Sequence, residues 1–265
     1  METAELIRSL RTEGSLLADA AERAGDAAAV PTCPDWRVRD LVRHTGTVHR
    51  WAAGFVAEGR DRPRRPAPDP DLDGAALVDW FREGHAHLVD TLLAAPDGLQ
   101  CWAFLPAPSP LAFWARRQAH ETAVHRVDAE SAVAGADALA HLGERVTPVH
   151  PGLALDGIDE LLAGFHARER SAVRSATPRT LRIRTTGAPG AAGTWTVRIS
   201  DGPLRSERSA DAEGAATEPA DCEITGSAAH VYLALWNRLP LESLEIAGDP
   251  EVARLWRDTS AISFG

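Results

Sequence analysis

The spacing of apolar residues predicts a succession of amphipathic helices from the N-terminus to about residue 170. In residues 3–25, Leu6, Ile7, Leu10, Leu16, Leu17 and Ala20 recur at helical spacing, and the run closes near Gly25. After Val30-Pro-Thr-Cys-Pro-Asp35, with Asp35 as N-cap, a second helix is expected from Trp36 to about Glu58, stopping at Gly59. Leu41, His44, Val48, Trp51 and Phe55 share one of its faces, whereas His49 points roughly 140° away from His44 at about 100° per residue. The charged, Pro-rich stretch 60–73 reads as a solvated connector. A third helix, from about Gly74 to Ala95, turns Leu77, Phe81, Leu88 and Leu92 inward, with His85 beside that stripe and His87 on the outside. A second Pro-rich connector, 96–110, carries Cys101 and Trp102. The fourth helix follows Pro110 and ends near Gly135. A fifth, introduced by Pro148 and Pro151, runs through Leu153, Leu155, Ile158, Leu161, Leu162 and Phe165.

Beyond Thr177 the period changes from helical to twofold. Thr180–Thr185 and Thr194–Ser200 alternate as strands around a Gly/Ala/Pro turn at 187–193, and Asp221–Thr225 is a third short strand. The polar stretch 205–219 reads as a loop, while Ser227–Trp236 and Glu251–Thr259 read as helices. The expected architecture is α+β in two domains: an up-down helical bundle over 1–172 and a small α+β domain over 178–265.

One helix breaks the pattern. In the fourth, Trp114, Gln118, Glu121, His125 and Asp128 form a single stripe, and a stripe facing a core should be apolar. Burying an unpaired neutral polar group costs roughly 2–7 kcal/mol, and a charge costs more. A Glu and a His one turn apart lie about 6 Å apart along the axis and can reach one metal ion. An i,i+4 ion pair on a solvated face is the alternative. Trp114 and Val124 place an apolar strip along this side, and His44 sits in another helix's core stripe, which favours burial. Taken alone, His44 reads as a core imidazole bonded to a carbonyl. Beside Glu121 and His125 it becomes a third metal donor, and three donors leave a catalytic divalent ion an open position.

Composition narrows the chemistry. The formal net charge of −10 argues against nucleic acid and against anionic membranes as partners. All 28 basic side chains are Arg, which removes Schiff-base chemistry and a P-loop lysine. Cys33, Cys101 and Cys222 form no metal knot or disulfide framework, and no stretch reads as a signal core or membrane span; a cytoplasmic setting is expected. None of the three cysteines has a recognisable activating context. Arg117 and Arg126 read either as anion partners or as solvated charges, and His49 and His120 either as groups supporting the site or as surface residues. Gln118 and Asp128 read as supporting or capping groups.

Thr32-Cys-Pro-Asp-Trp-Arg-Val-Arg-Asp-Leu-Val-Arg-His44 with His49-Arg-Trp51, then Phe113 through Asp128, resembles the mycothiol-dependent maleylpyruvate isomerase family. Asp156-Gly-Ile-Asp-Glu-Leu-Leu162, Gly226 through Leu235-Trp-Asn-Arg238, and Ile246-Ala-Gly-Asp249 extend the similarity over nearly the whole chain. The resemblance implies a DinB-like four-helix bundle followed by a smaller, sterol-carrier-like domain. It implies a divalent metal, usually zinc, on His44, Glu121 and His125, with mycothiol as the low-molecular-weight thiol cosubstrate and Arg238 as a catalytic residue. It also implies cis–trans isomerisation of maleylpyruvate by thiolate addition. A mycothiol S-transferase acting on another electrophile and a non-catalytic protein binding a metal or an apolar ligand are the alternatives. The chain is expected to be a monomer or homodimer with a small-molecule substrate.

Overall fold

Four long helices build the N-terminal unit, Met1–Thr147, in the computed structural model, which describes residues 1–187, 190, 192–209 and 219–262. They are α1 (Thr3–Ala24), α2 (Val38–Glu58), α3 (Gly74–Ala94) and α4 (Pro110–Ala134), with a short 3-10 turn and the four-residue α5 (Leu142–Arg145) after them. Helix α2 starts two residues later than expected. Its first turn is closed by Asp40, which accepts from the Arg37 backbone N–H at 2.9 Å, so Arg37 rather than Asp35 is the N-cap. Its end is set by Gly59, at φ 61°, a left-handed conformation that glycine adopts without penalty. Ser109 caps α4 by accepting from the Ala112 N–H at 3.1 Å, and Pro110 takes the first helical position, where its missing N–H costs nothing.

Leu10, Leu17, Leu41, Phe55, Leu77 and Phe81 are fully buried between these helices, as their spacing requires. Helix α2 packs against both α3 and α4. Two flanking neighbours widen its buried arc, so the expected inner stripe is displaced. His49 lies wholly inside, whereas His44 sits at the rim. Helix α4 packs most extensively against α1 and is buried on nearly every side from Phe113 to Ser131.

The second unit, Pro148–Gly265, contains α6 (Pro151–Asp159), a π-helical turn (Glu160–Phe165), strands β1 (Arg179–Thr186), β2 (Gly193–Ile199), β3 (Arg205–Ser209), β4 (Cys222–Ser227) and β5 (Glu245–Gly248), and helices α7 (Ala228–Leu235) and α8 (Pro250–Thr259). The sheet order is β3-β2-β1-β4-β5, with β1 and β4 parallel and the other pairs antiparallel. Register places Leu181, Ile183, Trp195, Val197, Cys222 and Ile224 on one face, all buried. Helices α7 and α8 pack on β1 and β4.

Three expectations change. The fifth helix belongs to the second unit: α6 packs on α7, and the Phe165 ring stands edge-on to Trp236 at 5.8 Å. The division therefore falls at 147/148 instead of between 172 and 178, because an amphipathic stripe does not declare which core it fills. Residues 205–209, expected as loop, pair with β2 as an edge strand. An edge is held by its backbone bonds and tolerates polar side chains on both faces. The edge strand β5 was not foreseen for the same reason. Residues 188, 189 and 191 of the expected turn, and 210–218 of the expected loop, lie outside the described residues.

Candidate metal centre

Glu121 and His125 project from successive turns of α4, and His44 meets them from α2. His44 Nε2 and His125 Nε2 each lie 3.2 Å from Glu121 Oε1. One donor atom from each residue falls within 4.8 Å of the others, the one such group of three found among the described residues. The donors differ in access. The His44 side chain keeps 35% of its surface exposed, against 11% for Glu121 and 10% for His125, so the centre opens on the His44 side. A cavity of about 480 Å³ lies there, lined by Trp36, Asp40, Arg43, His44, Asp69, Pro70 and Asp71.

Buried partners fix the two inner donors. His125 Nδ1 is 2.8 Å from Asp128 Oδ2, so the Nδ1 proton is directed at a carboxylate and Nε2 faces the other donors. Asp128 is fully buried, and its second oxygen accepts from Thr32 Oγ1 at 2.6 Å. Glu121 Oε2 accepts from Arg117 Nη2 at 3.1 Å. Trp36, at the end of the Thr32 loop, covers both imidazoles: its ring centroid is 5.0 Å from that of His44 and 5.8 Å from that of His125, nearly parallel to the latter.

The titration behaviour of these groups follows from the same contacts. Burial opposes a charge on His125, but its hydrogen bonds to Asp128 and Glu121 outweigh burial and hold its pKa up to about 9. Burial likewise favours a neutral Glu121; hydrogen bonds from His125 and His44, with the Arg117 charge, instead hold its carboxyl well below the ordinary carboxylate range. Two imidazole nitrogens and one carboxylate oxygen brought within 4.8 Å of one another, with the outer atoms of Glu121 and His125 already engaged, suit a borderline divalent cation such as zinc.

The other sequence candidates separate. Arg117 and Arg126 are buried, not solvated. Arg126 Nε reaches Glu13 at 2.7 Å, and its Nη1 reaches Glu130 at 2.8 Å and the Thr147 carbonyl at 2.6 Å, tying α1 to α4. His49 is a core residue 2.8 Å from Thr122 Oγ1; burial and the neighbouring His85 push its pKa well below the ordinary value. His85 is buried and bonded to the Arg11 carbonyl at 3.3 Å, away from the three donors, and His87 is exposed. His120 and Gln118 are buried on α4. Arg238 lies in the turn after α7, where Nη1 donates to the Trp236 carbonyl at 2.9 Å and Asn237 takes the left-handed φ of 59°. The aromatic cover from Trp36 and the support from Thr32 were not assigned in advance. Their signal was the run Thr32–Trp36, whose polar and aromatic residues reached the site by tertiary packing alone.

Residues 7–130 match the family model described as the mycothiol maleylpyruvate isomerase N-terminal domain, and residues 152–255 match the MDMPI C-terminal domain. Among solved structures, the mycothiol-dependent maleylpyruvate isomerase is similar at a TM-score of 0.57 and 13% identity, over 93% of this chain and 93% of that one. A histidine-to-alanine variant of the mycothiol-dependent maleylpyruvate isomerase gives a TM-score of 0.59 at 12% identity, again over 93% of each chain. At such identity the likeness establishes a shared fold. No curated protein matches the sequence.

Proposed function

Because the chain belongs to the mycothiol-dependent maleylpyruvate isomerase family, we propose that it is a zinc-dependent enzyme that uses mycothiol against a small electrophile, most nearly in the cis–trans isomerisation of maleylpyruvate. The observation carrying this reading is the convergence of His44, Glu121 and His125 within 4.8 Å, with both inner donors held by buried partners. A bound divalent ion would supply the Lewis acidity that converts a thiol, with an ordinary pKa of about 8.5, to a thiolate at neutral pH. His44, Glu121 and His125 would hold that ion, and Trp36 would keep water from the imidazole faces. The chain's own sulfurs support an external nucleophile: none of the three cysteines is in a disulfide, and burial raises the pKa of Cys101 and Cys222, leaving them thiols. In isomerisation the thiolate adds to one carbon of the double bond, the resulting single bond rotates, and elimination restores the thiolate with no net proton change. Arg238 is the residue proposed to hold the anionic substrate. The expected setting is the cytoplasm of an actinobacterium, with the chain a monomer or homodimer.

A second reading, thiol transfer to an uncharged electrophile, is favoured by the cavity's charge. Asp40, Asp69 and Asp71 line it, and its one guanidinium, Arg43, is already held by Asp73 at 2.6 Å. Metal analysis tests the common premise: about one ion per chain in the unaltered protein, and none in His44→Ala, Glu121→Ala or His125→Ala. Full retention in all three variants would refute the assignment. Thiol consumption and product analysis with mycothiol, comparing maleylpyruvate with a neutral electrophile, then separate the two reactions.

A further inference from the structure

We propose that Arg117 is a positioning residue that restricts Glu121 to one donor oxygen, leaving a coordination position of the ion free for substrate. This rests on the metal reading above.

A carboxylate can offer a metal one oxygen or two, and in a three-residue site that choice decides how much of the coordination sphere stays open. The two oxygens of Glu121 face different partners. Oε1 lies 3.2 Å from both imidazole Nε2 atoms, whereas Oε2 lies 3.1 Å from Arg117 Nη2. The Arg117 side chain is only 3% exposed, and a guanidinium keeps its charge even there. For Oε2 to turn to the ion, it would have to leave a charged donor that no solvent would replace. Helix stability does not account for the pair. Arg precedes Glu by four residues, the less favourable order for an i,i+4 pair, and burying two charges brings little net stability. Asp128 has the corresponding role for His125, fixing which nitrogen is presented. Helix α4 thus carries both inner donors and the groups that limit what each can offer.

The test uses the full chain loaded with Co²⁺, whose visible absorption is strong in four-coordinate and weak in higher-coordinate sites. Arg117→Met is expected to weaken the band as Glu121 takes up the ion with both oxygens, and to lower Co²⁺ affinity roughly tenfold, as loss of an orienting partner does. Arg117→Lys, which keeps a charged donor, is expected to restore the stronger band. An unchanged band and affinity in a folded, Co²⁺-loaded Arg117→Met protein overturns this proposal and leaves the metal reading standing. Failure of the unaltered chain to bind Co²⁺ overturns both. A metal-loaded crystal structure of the unaltered chain with both Glu121 oxygens on the ion also overturns the proposal, so it stays open to refutation even if Arg117→Met does not fold.

Discussion

Helix α4 and strand β1 are both central to their units, yet they handle polarity in opposite ways. On β1, alternation sorts the residues: Leu181 and Ile183 enter the apolar layer, while Arg182, itself buried, and the half-buried Arg184 lie on the opposite face and share Glu223. On α4 no such sorting occurs. Arg117, Glu121, His125, Arg126, Asp128 and Glu130 are all buried, and each is engaged by a specific partner. The charges of β1 are kept on the face opposite its apolar layer, even where one is buried; those of α4 are directed into the helical core and neutralised there. A helix built that way is costly to bury, so the partners surrounding it carry information about what the region does.

The comparison predicts the largest loss at Arg126. Arg126→Met strands Glu13 and Glu130 as buried carboxylates and should destabilise the helical unit by about 3–5 kcal/mol in urea unfolding. Amide exchange should show protection lost in α1 and α4 more than in β1. A cost under about 1 kcal/mol would mean that α4 polarity is as incidental as that of the sheet's outer face.

Acid should act next, and on both units. His166 is buried against Trp256, and burial together with the Arg174 charge lowers its pKa to about 4, below the usual 6.5 of an unfolded histidine. As pH falls from 6.5 towards 4, the unfolded chain takes up a proton that the folded chain refuses. Stability therefore declines by about 3 kcal/mol across that window and levels off below it. His49 is displaced in the same direction and adds to the decline. Denaturation midpoints between pH 7 and 4, compared with those of His166→Gln, should show the slope and its partial removal in the variant.

Smaller effects sharpen the contrast further. Ile183→Val, in the apolar layer of the sheet, should cost about 1 kcal/mol and leave metal affinity unchanged. Thr32→Val should cost a similar amount or less, but it removes the 2.6 Å hydrogen bond to Asp128 and should weaken metal binding roughly tenfold by isothermal titration. Equal effects of the two changes on metal affinity would dissolve the distinction between the two elements.

The same contrast explains how far the sequence could be read. The four bundle helices and the inner strands follow directly from period and from Pro and Gly boundaries, because burial on one side leaves a pattern. The Glu121–His125 spacing on α4 was legible for a related reason: polar residues in a stripe due to be apolar stand out. His44 was placed in a core stripe and His49 outside it, and the structure exchanges them, because two neighbours on α2 rotate its buried arc. Arg117 and Arg126 could not be told from surface charges, since an Arg four residues from a Glu looks alike on a solvated face and in a core. The assignment of α6 to the second unit and the edge strands β3 and β5 depend on tertiary packing and backbone pairing, which leave no mark in side-chain periodicity.

The uneven exposure of the three donors has a kinetic consequence. Glu121 and His125 share one helix and are locked by Arg117 and Asp128, so that half of the centre is assembled before anything binds. His44 comes from a different helix and faces the cavity. Residence time at the centre would then be set by how often a single imidazole swings aside, and Trp36, whose ring lies 5.0 Å from that imidazole at a 55° tilt, would act as the brake on exchange.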